Sequence, residues 1–556
     1  MKKTGAQIVA ECLLEQGVDT AFGYPGGNVI NLYDALFEYS DRIKHILTAH
    51  EQGAAHAADG YARTTGKTGV VFATSGPGAT NLVTGLANAF MDSIPVVAIT
   101  GNVTSSQLGR DTFQEIDIFG VTMPVTKHNF IVKNVKDLAK VLRKAFYIAA
   151  SGRPGPVLVD ILKDVFIATT DFETEKPKTI EPYTEKVREE DIDECVSMIE
   201  MSKRPMIMAG GGIILSNASK ELYEFVKKVD SPVTQTIMGL GSFPADDPYY
   251  TGLTGMHGSK ASALAVNNCD LLIAIGARFS DRVISSAAHF AKRAKIVHID
   301  VDAAEINKNI KTHHSIVGDA KYVLEKLNSK LSPRKHTEWV NEVLEWKKQY
   351  PHIEGAENVV SPQYVIETVH DLVGDDAIIA TDVGQHQIWT AQCYPFKKPR
   401  TFVTSGGLGT MGFGLGAAIG SQIGNPDKRV VLFTGDGSFH MNLNELVTAN
   451  MNGLPIVIIV MNNHVLGMVR QWQKLFFDKR FSQTTLDRKT DYVKLSEAFG
   501  GVGYVIDKKE DVKPVLKKAL ECKVPVVIDC RIDRDVNVLP MVPSGRPIDE
   551  QVTSLD

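Results

Sequence analysis

Short runs of β-branched and other apolar residues, each followed by a glycine-rich turn and a helical stretch, recur from one end of this chain to the other. That rhythm constrains the fold more than any other feature. The runs are Gly69 to Thr74, Pro95 to Thr100, Pro156 to Leu162, Pro205 to Ala209, Asp270 to Ile275, Lys295 to Asp300, Ala377 to Thr381, Arg429 to Thr434, Pro455 to Met461 and Pro525 to Cys530. Apolar on both faces, they predict central parallel strands with helices packed on either side. Two stretches break the rhythm: a charged, Thr/Pro-containing segment from Thr169 to Glu190, and a polar one from Ser329 to Ser361 that carries a single amphipathic helix. Read as linkers, they divide the chain into three doubly wound α/β domains with parallel sheets, at 1–168, 190–330 and 361–556. The total of 556 residues agrees with that division, since a single core rarely serves more than about 200 residues.

Charge and cysteine content exclude several classes of function. A net charge of -5 leaves no basic footprint for nucleic acid or an anionic membrane surface. No apolar run reaches the ~18 residues that a membrane span needs. Cys12, Cys195, Cys269, Cys393, Cys522 and Cys530 are scattered without CxxC spacing, which predicts reduced thiols rather than a disulfide frame or a zinc site. Helical periodicity from Ala6 to Leu14 begins almost at Met1, so no targeting segment is expected and a prokaryotic cytoplasm is the expected location.

The strongest chemical signal lies in the last third. Gly435-Asp436-Gly437-Ser438 ends one apolar run, and Asn462-Asn463 ends the next, a little over two dozen residues further on. In a parallel α/β unit both fall at the carboxyl ends of neighbouring strands, where such sheets bind ligands. An Asp carboxylate and an Asn amide oxygen are hard ligands suited to Mg²⁺, which prefers an octahedral shell completed by a diphosphate. The glycines let backbone N–H groups close on phosphate oxygens. Either half alone reads as an ordinary turn; together, on two apolar strands, they point to a metal-diphosphate site. Gly407-Leu408-Gly409-Thr410-Met411-Gly412 matches GxGxxG, with Asp427 twenty residues after Gly407. That acid sits in an Asn-Pro-Asp-Lys turn rather than at a strand end, so a nicotinamide fold is a poor fit.

The GDG…NN pattern resembles the motif of thiamin-diphosphate-dependent enzymes. Further segments resemble the acetohydroxyacid synthase large subunits over nearly the whole chain. In the first third these are Phe22-Gly23-Tyr24-Pro25-Gly26-Gly27, His50-Glu51-Gln52-Gly53, Thr74-Ser75-Gly76-Pro77-Gly78, Thr112-Phe113-Gln114-Glu115 and Ser151-Gly152-Arg153-Pro154. The last third adds Gly467-Met468-Val469-Arg470-Gln471-Trp472-Gln473 and Asn537-Val538-Leu539-Pro540. By itself Glu51 is a first-turn helical Glu favoured by the dipole. The resemblance makes it the carboxylate that activates the aminopyrimidine ring, with the cofactor doing the covalent work.

The same resemblance implies further roles. Gly27, Gln385, His386, Gly409, Met411, Met468 and Gly435 to Ser438 bind thiamin diphosphate; Asp436, Asn463 and Val465 hold Mg²⁺. Gln114 and Trp472 act near the reacting centre, and Phe113, Met468, Trp472 and Arg278 contact the second ketoacid. In the middle third, Gly211, Gly212, His257, Gly258, Arg278, Asp300 and Asp319 resemble a domain that binds FAD, with Arg153 reaching over from the first; this flavin does no net redox chemistry. The implied reaction decarboxylates pyruvate and transfers its two-carbon hydroxyethyl unit to a second pyruvate or to 2-ketobutyrate, in branched-chain amino acid biosynthesis. A homodimer or homotetramer with interfacial sites and a small regulatory subunit are implied as well. Ser280, Gly416, Asn28 and Thr104 depart from the usual pattern, and none of them is Glu51, the metal set or Trp472. A flavin-free catabolic acetolactate synthase and an FAD-dependent pyruvate oxidase are the rival readings. Phe113-Gln114-Glu115 and the middle-third motifs argue against the first, and Gln471-Trp472-Gln473 against the second. A non-catalytic paralogue fits poorly with Glu51, Asp436 and Asn463 all present.

Overall fold

A computed structural model describes residues 1–351 and 360–554, so residues 352–359 of the second predicted linker and the last two residues of the third predicted domain lie outside the described residues. The first third contributes strands β1 (Lys2–Thr4), β2 (Thr20–Gly23), β3 (Lys44–Leu47), β4 (Gly69–Ala73), β5 (Val96–Asn102), β6 (His128–Val132), β7 (Val157–Leu162) and β8 (Thr169–Asp171). The middle third contributes β9 (Pro205–Ala209), β10 (Val233–Gln235), β11 (Tyr250–Leu253), β12 (Leu271–Ile275), β13 (Lys295–Asp300) and β14 (His314–Val317). The last third contributes β15 (Ile378–Thr381), β16 (Phe402–Val403), β17 (Val430–Gly435), β18 (Val457–Asn462), β19 (Val502–Ile506) and β20 (Val526–Arg531).

These strands build three six-stranded sheets in the orders β3-β2-β4-β5-β7-β6, β11-β10-β9-β12-β13-β14 and β16-β15-β17-β18-β20-β19. All pairings within them are parallel. Each apolar run read from the sequence is a strand, and the strands it missed lie towards the sheet edges. β5, β12 and β18 are buried at every residue, whereas β3, β14 and β19 are partly exposed and lose the continuous apolar run; β2 and β10 are buried but short, and their Thr, Gly and Gln residues break the run. Of the first predicted linker, Thr169–Asp171 pairs antiparallel with β1. The amphipathic helix of the second, Thr337–Gln349, lays Trp339 and Val343 into the core of the middle domain.

The first and third domains share one core. The helix Glu51–Thr65 lies against the helix Phe413–Gly424 through Ala54, Ala57, Ala58, Ala417 and Ala418. Their backbones approach so closely that a Cβ on Gly60 would stand 2.2 Å from the Ala417 carbonyl oxygen, and one on Gly420 would stand 1.8 Å from that of Ala57. Only glycine fits those crossings. The buried Arg63 guanidinium fastens the seam, donating to Asp59, to Asp92 (2.9 Å) and across to the Thr404 carbonyl (2.8 Å). The chain's end then crosses back over the middle domain: the Val542 N–H donates to the Met256 carbonyl (2.8 Å), and Ile548 is buried in that domain's core.

Candidate active site

Sheet topology alone selects three places for ligands. In an open parallel sheet the crevice lies where the chain reverses its direction of winding, outside the carboxyl ends of the two strands concerned. The strand orders put these points between β2 and β4, between β9 and β12, and between β15 and β17. Six segments singled out in the sequence directly follow the strands that flank these points. Tyr24–Gly27 and Ser75–Gly78 flank the first, Gly210–Gly212 and Gly276–Arg278 the second, and Val383–Gln385 and Gly435–Ser438 the third.

At the third point Asp436 opens the helix Asp436–Asn442, and burial pushes its carboxyl up to about 7 against the N–H groups of Gly437 and His464 that favour the charged form. The His464 contact brings the end of β18 to Asp436, so the two motif halves meet as their spacing predicts. A carboxylate desolvated in this way is stabilised by a cation. Among the described residues no three His, Cys, Asp or Glu side chains gather into a metal site. The oxygens that the resemblance implies for a metal are the Asp436 carboxylate, the Asn463 amide oxygen, which accepts from the Val465 N–H (3.2 Å), and the Val465 carbonyl, a set that a diphosphate would have to complete. His386 packs beside the motif, its Nδ1 2.9 Å from where a Gly435 Cβ would be. Burial pulls its ring down to about 3, and its buried Nε2 has no partner. An orphaned ring nitrogen at a ligand crevice is what a binding site leaves when its ligand supplies the missing bond.

The Gln385 side chain is bonded within the protein. Its Nε2 donates to the Gln471 Oε1 (3.1 Å) and the Val536 carbonyl (3.0 Å), and its Oε1 accepts from the Asn463 Nδ2 (3.3 Å). The side chain is spent positioning Asn463, which leaves the backbone N–H, at the start of the helix Gln385–Cys393, as the group that can meet a phosphate. Gln471 extends the relay, since its Nε2 donates to the Val538 carbonyl (3.0 Å) and its Oε1 accepts from the Val538 N–H (2.8 Å). Ser438 donates its hydroxyl to the Val383 carbonyl (2.9 Å), joining the two sides of the crevice.

The loop Gly406–Gly412 is held by a residue that the sequence did not advertise. Asp382, fully buried just after β15, accepts from the N–H groups of Gly412 (2.7 Å), Val383 (3.0 Å) and Gly414 (3.4 Å), while burial lifts its carboxyl to about 6. In the loop so held, the Met411 Cε lies 3.7 Å from where a Gly437 Cβ would be, and Gly409 has a left-handed φ of 71°. Trp472 lies half-buried on the helix Gly467–Phe476, edge-on to Phe476 with centroids 5.3 Å apart, and Met468 packs on the third domain's core from the same helix.

At the first point Glu51 opens the helix Glu51–Thr65, capped by His50, whose Nδ1 accepts from the Gln52 N–H (3.1 Å). Its Oε2 accepts from the Asn81 amide (2.9 Å), and its Oε1 lies 3.2 Å from where a Gly78 Cβ would be. Gln114 joins them: at a φ of 61°, its Cα is 2.9 Å from where a Gly76 Cβ would be. Phe113 beside it is 86% exposed in the single chain, and Gly27 is also exposed, with open space where a Cβ would be. The carboxylate partners of Glu51 are thus first-domain groups, whereas those of Asp436 belong to the third domain.

At the second point the Gly212 N–H donates to the Gly276 carbonyl (3.1 Å), and a Cβ on Gly210 would stand 2.1 Å from that oxygen. Asp300 ends β13, its carboxyl lifted to about 6 by burial, and Arg278 follows β12 half-buried. His257 contacts the Pro540 carbonyl through Nδ1 (3.2 Å), with Gly258 tucked against the Leu253 carbonyl. Asp319 caps the helix Ala320–Lys330 through the Tyr322 N–H (3.1 Å). Arg153 is engaged by Asp302 (3.0 Å), Glu305 (2.8 Å) and Ser93 (2.9 Å), at the seam of the first and middle domains. Gln235 Oε1 at the end of β10 and Thr254 Oγ1 just after β11 are buried without partners.

Comparison with known proteins agrees with this three-part plan. Residues 3–121 match the family description "Thiamine pyrophosphate enzyme, N-terminal TPP binding domain", residues 192–327 the central domain and residues 382–530 the C-terminal TPP binding domain. The chain is 44% identical over 558 residues to acetolactate synthase isozyme 2 large subunit of Escherichia coli, covering 99% of this chain and 100% of that one. It is 47% identical to the acetolactate synthase large subunit of Corynebacterium glutamicum, over 98% of this chain and 89% of the relative. It is 45% identical to the probable acetolactate synthase large subunit of Methanocaldococcus jannaschii, over 97% and 94%.

Proposed function

The chain belongs to the thiamine pyrophosphate enzymes and, among them, to the acetolactate synthase large subunits, and from that premise we propose which residues carry its acetolactate synthase activity. The observation that carries the reading is the division of chemistry between two switch points: Glu51 and Gln114 at one, Asp436, Asn463 and the unpartnered His386 at the other. Thiamin diphosphate, when bound, supplies the nucleophilic carbon that adds to pyruvate and carries the two-carbon unit to a second ketoacid. Asp436, Asn463 and the Val465 carbonyl would hold Mg²⁺, and with it the diphosphate. The His386 Nε2 and the N–H groups of Gly437 and Ser438 meet its oxygens. The Gly409 carbonyl and Met411 would hold the pyrimidine, and Glu51, fixed by Asn81, would give and take a proton at its carboxylate as general acid/base. Trp472, Phe113, Met468 and Arg278 grip the acceptor ketoacid and exclude water from it.

A second copy of the chain completes the site in this reading. Its support is that the side-chain hydrogen-bond partner of Glu51, Asn81, lies in the first domain whereas the groups bonding Asp436 lie in the third, together with apolar side chains left in solvent by one chain: Phe113 at 86%, Phe37 at 82% and Met451 at 66% exposure. The relatives' designation as large subunits supports a small partner, and the scattered cysteines support the cytoplasm. No described helix is long and apolar enough to cross a membrane. FAD is proposed for the middle domain, where the carboxyl edge offers Asp300 to a ribose and the unpartnered Gln235 and Thr254 oxygens to further polar groups. Incubating the purified protein with pyruvate and quantifying acetolactate, acetaldehyde and acetyl phosphate tests the activity. Acetolactate is expected; acetyl phosphate in its place would mean an oxidase.

Acceptor choice has its own test. Pyruvate and 2-ketobutyrate differ by one methylene, worth about 1 to 3 kcal/mol, or roughly 10 to 200-fold, against a fitted apolar wall. Trp472→Leu removes that wall without touching Glu51, Asp436 or Asn463. Acetolactate formation is expected to persist while the preference for 2-ketobutyrate falls towards unity in a competition assay with both ketoacids present. An unchanged product ratio would make Trp472 a packing residue.

A further inference from the structure

We propose that Glu445, a third-domain residue, is a positioning residue for Glu51 of the same chain; this rests on the reading of Glu51 as the activating carboxylate. Glu445 is fully buried in the turn Leu443–Glu445, which directly follows the helix opened by Asp436. Its carboxylate points out of its own domain. Oε2 accepts from the Ala49 N–H (3.1 Å) and Oε1 from the His50 N–H (3.0 Å), the two residues immediately ahead of Glu51, and Thr448 donates a third bond to Oε2 (2.7 Å). Gly53 shows how tight the contact is, since a Cβ there would stand 2.1 Å from Glu445 Oε1.

A buried carboxylate is expensive unless it is fully bonded. Burial does raise the Glu445 carboxyl above the ordinary range, with the Thr448, Ala49 and His50 donors holding it towards the charged form. The core shared by the two domains already holds their helices together, so a buried charge is not needed for adhesion. What the carboxylate adds is direction. Two adjacent N–H groups on one carboxylate fix the plane of the Ala49–His50 peptides and hence the point at which the helix carrying Glu51 begins. Asn81 then sets the Glu51 side chain from its other end. In this arrangement the domain that binds the diphosphate also aims this chain's general acid/base.

Glu445→Gln keeps the shape but turns an amide N–H₂ towards one of the two N–H donors. Three results are expected in the full-length protein. Hydrogen exchange at the Ala49 and His50 amides accelerates, measured without cofactor. Turnover falls about 10 to 100-fold, the scale on which a misplacement near 1 Å costs rate. KM for pyruvate and affinity for thiamin diphosphate stay within a few-fold. Gly53→Ala reaches the same contact from the opposite side without altering a polar group, and it favours the helix, so either variant that folds decides the matter. Unchanged amide protection, or wild-type turnover with protection lost, overturns the assignment. Glu51→Gln run in parallel separates the two layers: if that variant stays active, the reading of Glu51 fails rather than the Glu445 contact.

Discussion

Glu51→Gln is expected to fold, bind thiamin diphosphate and lose about 10² to 10⁴-fold in turnover, the usual contribution of a positioned general acid/base. The amide preserves length and shape, and its carbonyl can still accept the Asn81 N–H that Glu51 accepts at 2.9 Å. What disappears is the ability to exchange a proton with the ring. The loss is therefore expected in kcat rather than in KM, because the interaction is made only as the ring changes protonation state. Circular dichroism establishes folding, and acetolactate formation reads the effect. Near-normal turnover in a correctly folded variant would remove Glu51 from the mechanism.

The second large effect is on binding. Asp436→Ala is expected to weaken Mg²⁺ and thiamin diphosphate together, since the diphosphate reaches the protein partly through the metal. FAD binding at the middle domain should be untouched, as that crevice lies on a different sheet. The wild-type site also carries a pH signature. With the Asp436 carboxyl raised to about 7 by burial, the ligand is protonated below that pH and ionised above it. Mg²⁺ must displace the proton on the acid side, so affinity should drop by about tenfold for each pH unit below 7 and level off above it. Isothermal titration across pH 5.5 to 8.5 with the wild-type protein and Asp436→Ala measures both effects. A wild-type affinity that is flat with pH, or an alanine variant that binds the metal normally, would move the ligand elsewhere.

The sequence revealed strands where burial on both faces coincides with an unbroken apolar run, and the buried but short and polar-interrupted β2 and β10 escaped it. β4, β5 and β7, β9, β12 and β13, and β15, β17, β18 and β20 read directly as apolar runs because both of their faces meet helices. β3, β14 and β16 escaped because an edge strand is short and half wet. The same limit governed the site. The placement of Asp436 and Asn463 was legible because each directly follows an apolar strand, and strand ends can be placed without coordinates. Asp382, which holds the Gly412 and Gly414 amides, also follows an apolar run, but nothing near it in the sequence marks its partners some thirty residues away as its own. Gln385 illustrates the converse: its place after an apolar run was legible, but its side-chain bonds to Gln471 and Val536 were not.

By itself the sequence determined the three parallel α/β domains, the metal-diphosphate pattern and the family resemblance, since each is written in local periodicity or short spacing. Only the tertiary structure decided which loops border each crevice, because strand order depends on which way each crossover winds and not on the composition of the strands. It alone also revealed the long-range polar contacts that aim the site. Arg63 reaches Thr404, Gln471 reaches Val538 and Glu445 reaches Ala49 and His50 across hundreds or scores of residues. Such bonds leave no periodic trace, because a buried carboxylate or amide is satisfied by whichever donor the fold brings within about 3 Å of it.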